Sequence, residues 1–315
     1  MRSSSRVLAA VAATVAIVLA GCGDGADSSG ASGDDRPVVV VTTSILGDVV
    51  ENLVGDQIEV VTIMPAGSDP HAFQASAQQA AQIGTAAGVI ANGAGFEESL
   101  LDLIESAEDD GVPTFEAISV VDTLAFDHDE HDEDEHGDVD PHFFTDPARV
   151  ALAADAIVEF LIANVAGLDS AALQANAAAY IDEIESLDAQ VETALAVVPP
   201  ERRVLVTNHE VFGYFADRYG FEIAGTIVPG GSTTDTSDAR TLADLADLIE
   251  HEGVPAIFAD TSSPGDLAST LAGEVGDIDV IELFSESLGA DDSEGATYLG
   301  MVRTNAERIA AALAG

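Results

Sequence analysis

Cysteine occurs once in the 315 residues, as Cys22, so no disulfide can form within the chain. Basic residues are scarce as well. Lys and Arg together number 10, all of them Arg, against 57 acids, for a formal net charge of −47. A surface of that sign repels nucleic acid and anionic lipid headgroups and attracts cations. The acids are spread along the chain, and salt adaptation or solubility accounts for the bulk of them. No His-Glu-x-x-His helix is present, which removes one common route to a hydrolytic zinc site.

What is there begins with a targeting segment. Arg2 and Arg6 precede an apolar run, Val7 to Ala20, of signal-peptide length and too short to span a bilayer comfortably. The run ends in Leu19-Ala20-Gly21-Cys22, which resembles a bacterial lipobox. That resemblance implies a signal peptide over 1–21, cleavage before Cys22 and lipid attachment to its sulfur. Residues 22–36, rich in Gly, Ser and Asp, read as a lipidated flexible tether.

The remaining length exceeds one ordinary hydrophobic core, and a hydrophobic content of 47% is enough for two lobes. Val38 to Val41 is a β-branched run typical of a buried parallel strand. Ile58 to Ile63, Val89 to Ala91 and Thr114 to Ala117 read as further strands, with helices near 45–54, 76–86 and 96–107 between them. A second series of strands follows at Val204 to Thr207, Phe221 to Val228, Ala256 to Asp260 and Ile278 to Leu283. Ser263-Pro264 forms a helix-start signal, and Gly253 and Gly276 sit where helix-ending glycines belong. Strands alternating with helices predict an α/β protein of two parallel-sheet lobes, over 37–168 and 199–315.

Between the series lies one long helix, 169–198. Leu173, Ala177, Tyr180, Ile184, Leu187, Val191, Ala194 and Val198 form an apolar stripe at helical period. Asp169 and Ser170 supply a cap, and Pro199-Pro200 is expected to end the helix. About 30 residues span roughly 45 Å, enough to run the length of both lobes as a stiff strut.

Of the seven histidines, three fall where strands should end: His71 in Asp69-Pro70-His71, His142 in Asp140-Pro141-His142, and His209 after Val204 to Thr207. Ligands in open α/β sheets bind beyond the carboxyl ends of strands. Proline fixes its own φ and biases the preceding Asp toward extended backbone, which steadies the following ring. Glu286, after the last apolar strand, is the fourth candidate. Three imidazoles and a carboxylate suit Zn²⁺, which takes four tetrahedral N, O or S ligands. His251, on a charged helix, reads as exposed.

These stretches resemble the zinc- and manganese-binding solute-binding proteins of bacterial ABC transporters. Ser68-Asp69-Pro70-His71-Ala72-Phe73, Asp140-Pro141-His142-Phe143-Phe144 and Thr207-Asn208-His209-Glu210-Val211-Phe212-Gly213 are similar to the family's three ordered ligand motifs, with Phe144 where Trp is usual. Ala256 to Asp260 matches a further stretch. The resemblance implies two α/β lobes joined by a rigid helix, metal in the cleft between them, and delivery to a membrane permease. Its ligands would be His71, His142, His209 and Glu286. Asp is more usual at the last position, and Asp260 is the alternative fourth ligand. A histidine at the third position shifts the balance from Mn²⁺ toward Zn²⁺, because imidazole suits zinc better than manganese.

Residues 127–138, Asp-His-Asp-Glu-His-Asp-Glu-Asp-Glu-His-Gly-Asp, can build no core. Zinc-specific members of the family carry such an insertion before the second ligand motif. His128, His131 and His136 are expected to gather Zn²⁺ weakly and pass it to the cleft. Three His and a carboxylate could also leave a position open for a catalytic water. Ser44, Ser232 and Thr233, however, have no evident base beside them, so the chain reads as a binder and not an enzyme. A monomer outside the cell, anchored through Cys22 and docking on an ABC permease, is the expectation. No residue points toward or away from the adhesin role some members have.

Overall fold

The computed structural model describes residues 36–126, 139–262, 266–276 and 278–315. The expected signal peptide, the tether with Cys22, the 127–138 loop with its three histidines and the Ser263-Pro264 cap lie outside the described residues.

The first sheet contains β1 (Val38–Val41), β2 (Glu59–Thr62), β3 (Gly88–Ala91) and β4 (Thr114–Glu116), ordered β2-β1-β3-β4 and parallel throughout. Helices α1 (Ser44–Val54), α2 (Ala77–Ile83) and α3 (Leu101–Asp109) make its crossovers. Then come α4 (Pro147–Asn164) and the long α5 (Ser170–Leu195). The second sheet contains β5 (Val204–Thr207), β6 (Glu222–Thr226), β7 (Ala256–Asp260) and β8 (Asp279–Leu283), in the equivalent order β6-β5-β7-β8, again parallel. Its helices are α6 (Gly213–Tyr219), α7 (Ala239–Glu252), α8 (Asp266–Val275) and α9 (Tyr298–Leu313).

Local chemistry places the helix starts. Thr43 caps α1 by accepting from Leu46 N, and Ser76 with Gln79 forms a reciprocal capping box on α2. Asp146 caps α4, with Pro147 at the first helical position. Asp169 caps α5 through Ala171 N and Ala172 N. Gly253 ends α7 at φ 66°, the left-handed conformation that an L side chain resists.

Each sheet is buried on both faces, as parallel sheets require. Val39 and Val41 enter a central core while Val40 enters an outer one. The second sheet repeats the alternation: Leu205 and Phe258 face the central core, and Val206 and Ile257 the outer one. The central core is continuous, joining Val49, Ile157, Leu187, Leu283 and Ile309 from α1, α4, α5, β8 and α9. For that reason the lobes do not part into separate units, and Arg36–Gly315 hold together as one.

Two expectations need correction. The strut ends at Leu195, a turn before Pro199-Pro200; Ala196 caps it, and the chain reaches Pro199 in an extended conformation, φ −59° and ψ 144°. Proline disfavours α backbone at the residue before it, so the helix stops short. Val198, read as the last stripe position, is buried from outside the helix. In addition, α4 occupies a segment for which no helix was expected. No helix among the described residues is long and apolar enough to cross a membrane.

Candidate metal centre

The site lies beyond the carboxyl ends of both sheets. His71 sits in the loop after β2, His209 two residues after β5, and Glu286 three residues after β8. His142 lies in the approach to α4, and Asn92, just past β3, holds that approach by donating from Nδ2 to Pro141 O at 2.9 Å.

One ligand atom from each of His71, His142, His209 and Glu286 falls within 4.8 Å of the others, and all four residues are buried. Three ring nitrogens converge on a single carboxylate oxygen. Glu286 Oε1 is 2.7 Å from His71 Nε2, 2.9 Å from His209 Nε2 and 3.4 Å from His142 Nε2. The longest of these is not aligned as a hydrogen bond, so His142 Nε2 stays without a partner, as does Glu286 Oε2. Buried polar atoms are ordinarily satisfied. Unpartnered buried atoms within a cluster of three imidazoles and a carboxylate are what a metal-binding donor set looks like before the ion is counted. A tetrahedral Zn²⁺ with bonds of about 2.0–2.1 Å would set its ligand atoms roughly 3.3–3.4 Å apart. Glu286 Oε1 lies at or inside that spacing from the three nitrogens, and all four ligand atoms lie within 4.8 Å of one another.

Each Asp-Pro-His turn uses its aspartate twice over. Asp69 Oδ1 accepts from the backbone N–H of His71 at 2.9 Å, and Asp140 Oδ1 accepts from that of His142 at 2.9 Å. Asp140 Oδ1 also lies 2.7 Å from His142 Nδ1, fixing the ring with Nε2 inward. Glu98 Oε1 lies 3.0 Å from His71 Nδ1. Phe96 stands edge-on to both rings, 5.4 Å from His71 and 5.5 Å from His142, and Phe144 is 5.9 Å from His142. These rings help keep water away from the cluster.

The electrostatics follow from this crowding. Burial works against a charged His71, but hydrogen bonds and charges from Glu286 and Glu98 outweigh it and raise the ring to about 10. His142 is raised against the same burial by Asp140 and then Glu286. Burial favours a neutral Glu286, yet the surrounding imidazoles hold it well below the usual carboxylate range.

The sequence-derived candidates therefore divide. His71, His142, His209 and Glu286 come together. Asp260 stands outside this cluster: its Oδ1 accepts from Ser262 N at 2.6 Å and Ser262 Oγ at 2.9 Å. Burial and the Glu286 charge push it up to about 6. His251 is exposed. Cys22, His128, His131 and His136 lie outside the described residues. Sequence reasoning missed Glu98 and Phe96, which no local pattern marks. It also missed the Asp140 carboxylate as a partner of the ring, which the Asp-x-His spacing could have revealed.

Two parallel-sheet lobes closing on a buried imidazole and carboxylate cluster define a metal-binding solute-binding protein of the kind that serves ABC transporters. A family model described as the zinc-uptake complex component A, periplasmic (ZnuA) matches residues 39–312, and the chain belongs to that family. It is 32% identical over 294 residues to the zinc-binding protein TroA of Treponema pallidum, covering 91% of this chain and 92% of that one. It is 27% identical over 302 residues to the manganese-binding lipoprotein MntA of Halalkalibacterium halodurans, covering 95% of each. The solved structure of the periplasmic zinc-binding protein TroA from Treponema pallidum superposes with a TM-score of 0.80 at 30% identity, covering 89% of this chain and all of that one.

Proposed function

We propose that this protein captures Zn²⁺ outside the cytoplasm with His71, His142, His209 and Glu286 and delivers it to the permease of an ABC importer. The observation that carries the reading is the donor set: three imidazole nitrogens and one carboxylate oxygen, all buried, within 4.8 Å of one another. Imidazole-rich sites favour zinc over manganese, whose preference is for oxygen. The protein then acts as a carrier and not a catalyst, with the ion as cargo. The lipobox at Cys22 would anchor it to the membrane, and His128, His131 and His136 would gather Zn²⁺ for the cleft.

A manganese cargo is the second reading, favoured by relatives named as manganese-binding, of which MntA is one. Competition titration of the metal-stripped protein with Zn²⁺ and Mn²⁺ separates the two. One tight Zn²⁺ site, crippled by His209→Ala, supports the zinc reading. Weaker Zn²⁺ sites that vanish on deletion of residues 127–138 support the gathering role. Equal or tighter Mn²⁺ binding, indifferent to His209→Ala, would overturn the zinc assignment.

A further inference from the structure

The loop 92–98, between β3 and α3, contributes none of the four ligand atoms, yet it brings two side chains onto His71. Phe96 sets its ring edge-on against the imidazole, and Glu98 places Oε1 3.0 Å from Nδ1. The loop is held rigid from within. Glu97, fully buried, accepts from Thr42 Oγ1 at 2.6 Å, from Asn92 N at 2.5 Å and from Gly93 N at 3.3 Å. Asn92 in turn holds the His142 segment through Pro141 O. Glu98 is therefore delivered to His71 from an anchored backbone, although its own side chain is 42% exposed.

The neighbouring ligand repeats the arrangement. Asp140 contacts Nδ1 of His142 from two residues upstream, whereas Glu98 reaches Nδ1 of His71 from 27 residues downstream. Burial alone does not produce such a partner, because His209 Nδ1 is buried without one. A carboxylate on the far nitrogen of a metal-binding imidazole holds one tautomer and makes the near nitrogen a stronger donor.

We propose that Glu98 is a positioning residue of the metal centre: it accepts a hydrogen bond from His71 Nδ1–H and so keeps the lone pair of Nε2 directed at the ion. This rests on the reading of His71 as a ligand. Glu98 does not touch the metal. It acts by removing the alternative tautomer, in which Nε2 carries the proton and cannot bind.

Three variants of the metal-stripped protein, Glu98→Ala, Glu98→Gln and His71→Ala, test this in a chelator competition against Zn²⁺. Ring ¹⁵N shifts of the zinc-loaded protein would report the His71 tautomer, and melts of the metal-free protein its fold. Glu98→Ala is expected to bind Zn²⁺ about 10–100-fold more weakly. Glu98→Gln, whose amide oxygen still accepts from Nδ1–H, should recover most of that loss. Two results overturn the proposal while leaving the ligand assignment intact, provided His71→Ala loses tight binding. One is Glu98→Ala binding within twofold of the parent with the Nδ1–H tautomer unchanged. The other is Glu98→Gln failing as badly as Glu98→Ala, with both losses following a lowered melting temperature. If His71→Ala binds like the parent, the ligand assignment falls and the positioning role falls with it.

Discussion

Glu286 Oε1 bonds two imidazoles, His71 and His209, and lies 3.4 Å from the Nε2 of His142; on the proposed ligand assignment a metal ion competes with it for those nitrogens. His71, raised to about 10, carries a proton at neutral pH that a metal must displace. Binding should therefore release a proton wherever the pH lies below about 10, and apparent affinity should rise with pH up to that value. Calorimetry at pH 7.5 in buffers of different ionisation enthalpy checks this; a buffer-independent heat would refute it. The linkage to stability has the opposite sign. A raised folded-state value means that the His71 contribution is complete below 6.5 and is lost as pH climbs through about 10. For Glu286, held below its ordinary 4.5, the contribution is present above 4.5 and is lost as acid reaches the depressed value. Glu286→Gln removes the charge at nearly constant shape. It should weaken Zn²⁺ binding by more than the 10–100-fold that outer-shell changes cost, which a chelator titration reads directly. The three clustered histidines were legible because each follows a strand or repeats Asp-Pro-His. Glu98 was not, because its contact with His71 exists only in the folded chain.

At the scale of elements, α6 and the loop before α7 press on the site from the second lobe. A Cβ on Gly213, which opens α6, would lie 2.5 Å from Asp140 Oδ2. The other oxygen of that carboxylate holds His142. Gly213→Ala should destabilise by about 1–3 kcal/mol, as overpacking does, and should weaken metal binding through His142, read by a melt and a titration on the same sample. Thr233, in the loop before α7, donates to Asp69 Oδ2 at 2.7 Å across the cleft, while Asp69 Oδ1 holds the His71 turn. Thr233→Val should cost only about 0.5–1.5 kcal/mol of stability but should speed metal release in stopped-flow. An unchanged off-rate would mean that this bond does not gate the cleft. The strands were legible because Val38 to Val41 and their counterparts are short apolar runs that place alternate side chains in two cores. Helix α4 was not, because Val150, Ala153, Ala154, Ile157, Val158 and Leu161 are buried among the small and apolar residues that make up much of it, which blurs the stripe. The strut's end was misjudged because the helix stops at Leu195, a full turn ahead of the prolines rather than at them.

For the whole molecule, the question is how far the lobes can move apart to admit and release an ion. Helix α5, 26 residues and about 39 Å long, lies against α1, α4 and α9, and one apolar core runs through both lobes. Side-chain bonds reinforce it. Asp48 on α1 accepts from Tyr180 Oη of the strut at 3.4 Å and from Tyr298 N at the start of α9 at 2.9 Å. Asp188 on the strut accepts from Tyr219 Oη at 2.8 Å and from Arg218 Nε at 3.1 Å. Tyr298 Oη, fully buried, donates to Phe144 O at 3.2 Å, beside the His142 segment. A wide hinge would have to break these bonds and expose the shared core to water. A shear of about 1–2 Å between packed helices would break neither. Spin labels at Ser106→Cys on α3 and Glu250→Cys on α7, both exposed positions in opposite lobes, would measure the movement. Adding Zn²⁺ to the stripped protein should shift their separation by no more than about 1–2 Å. A rotation that moves them several times further would show that the shared core opens, and that the strut is a hinge after all.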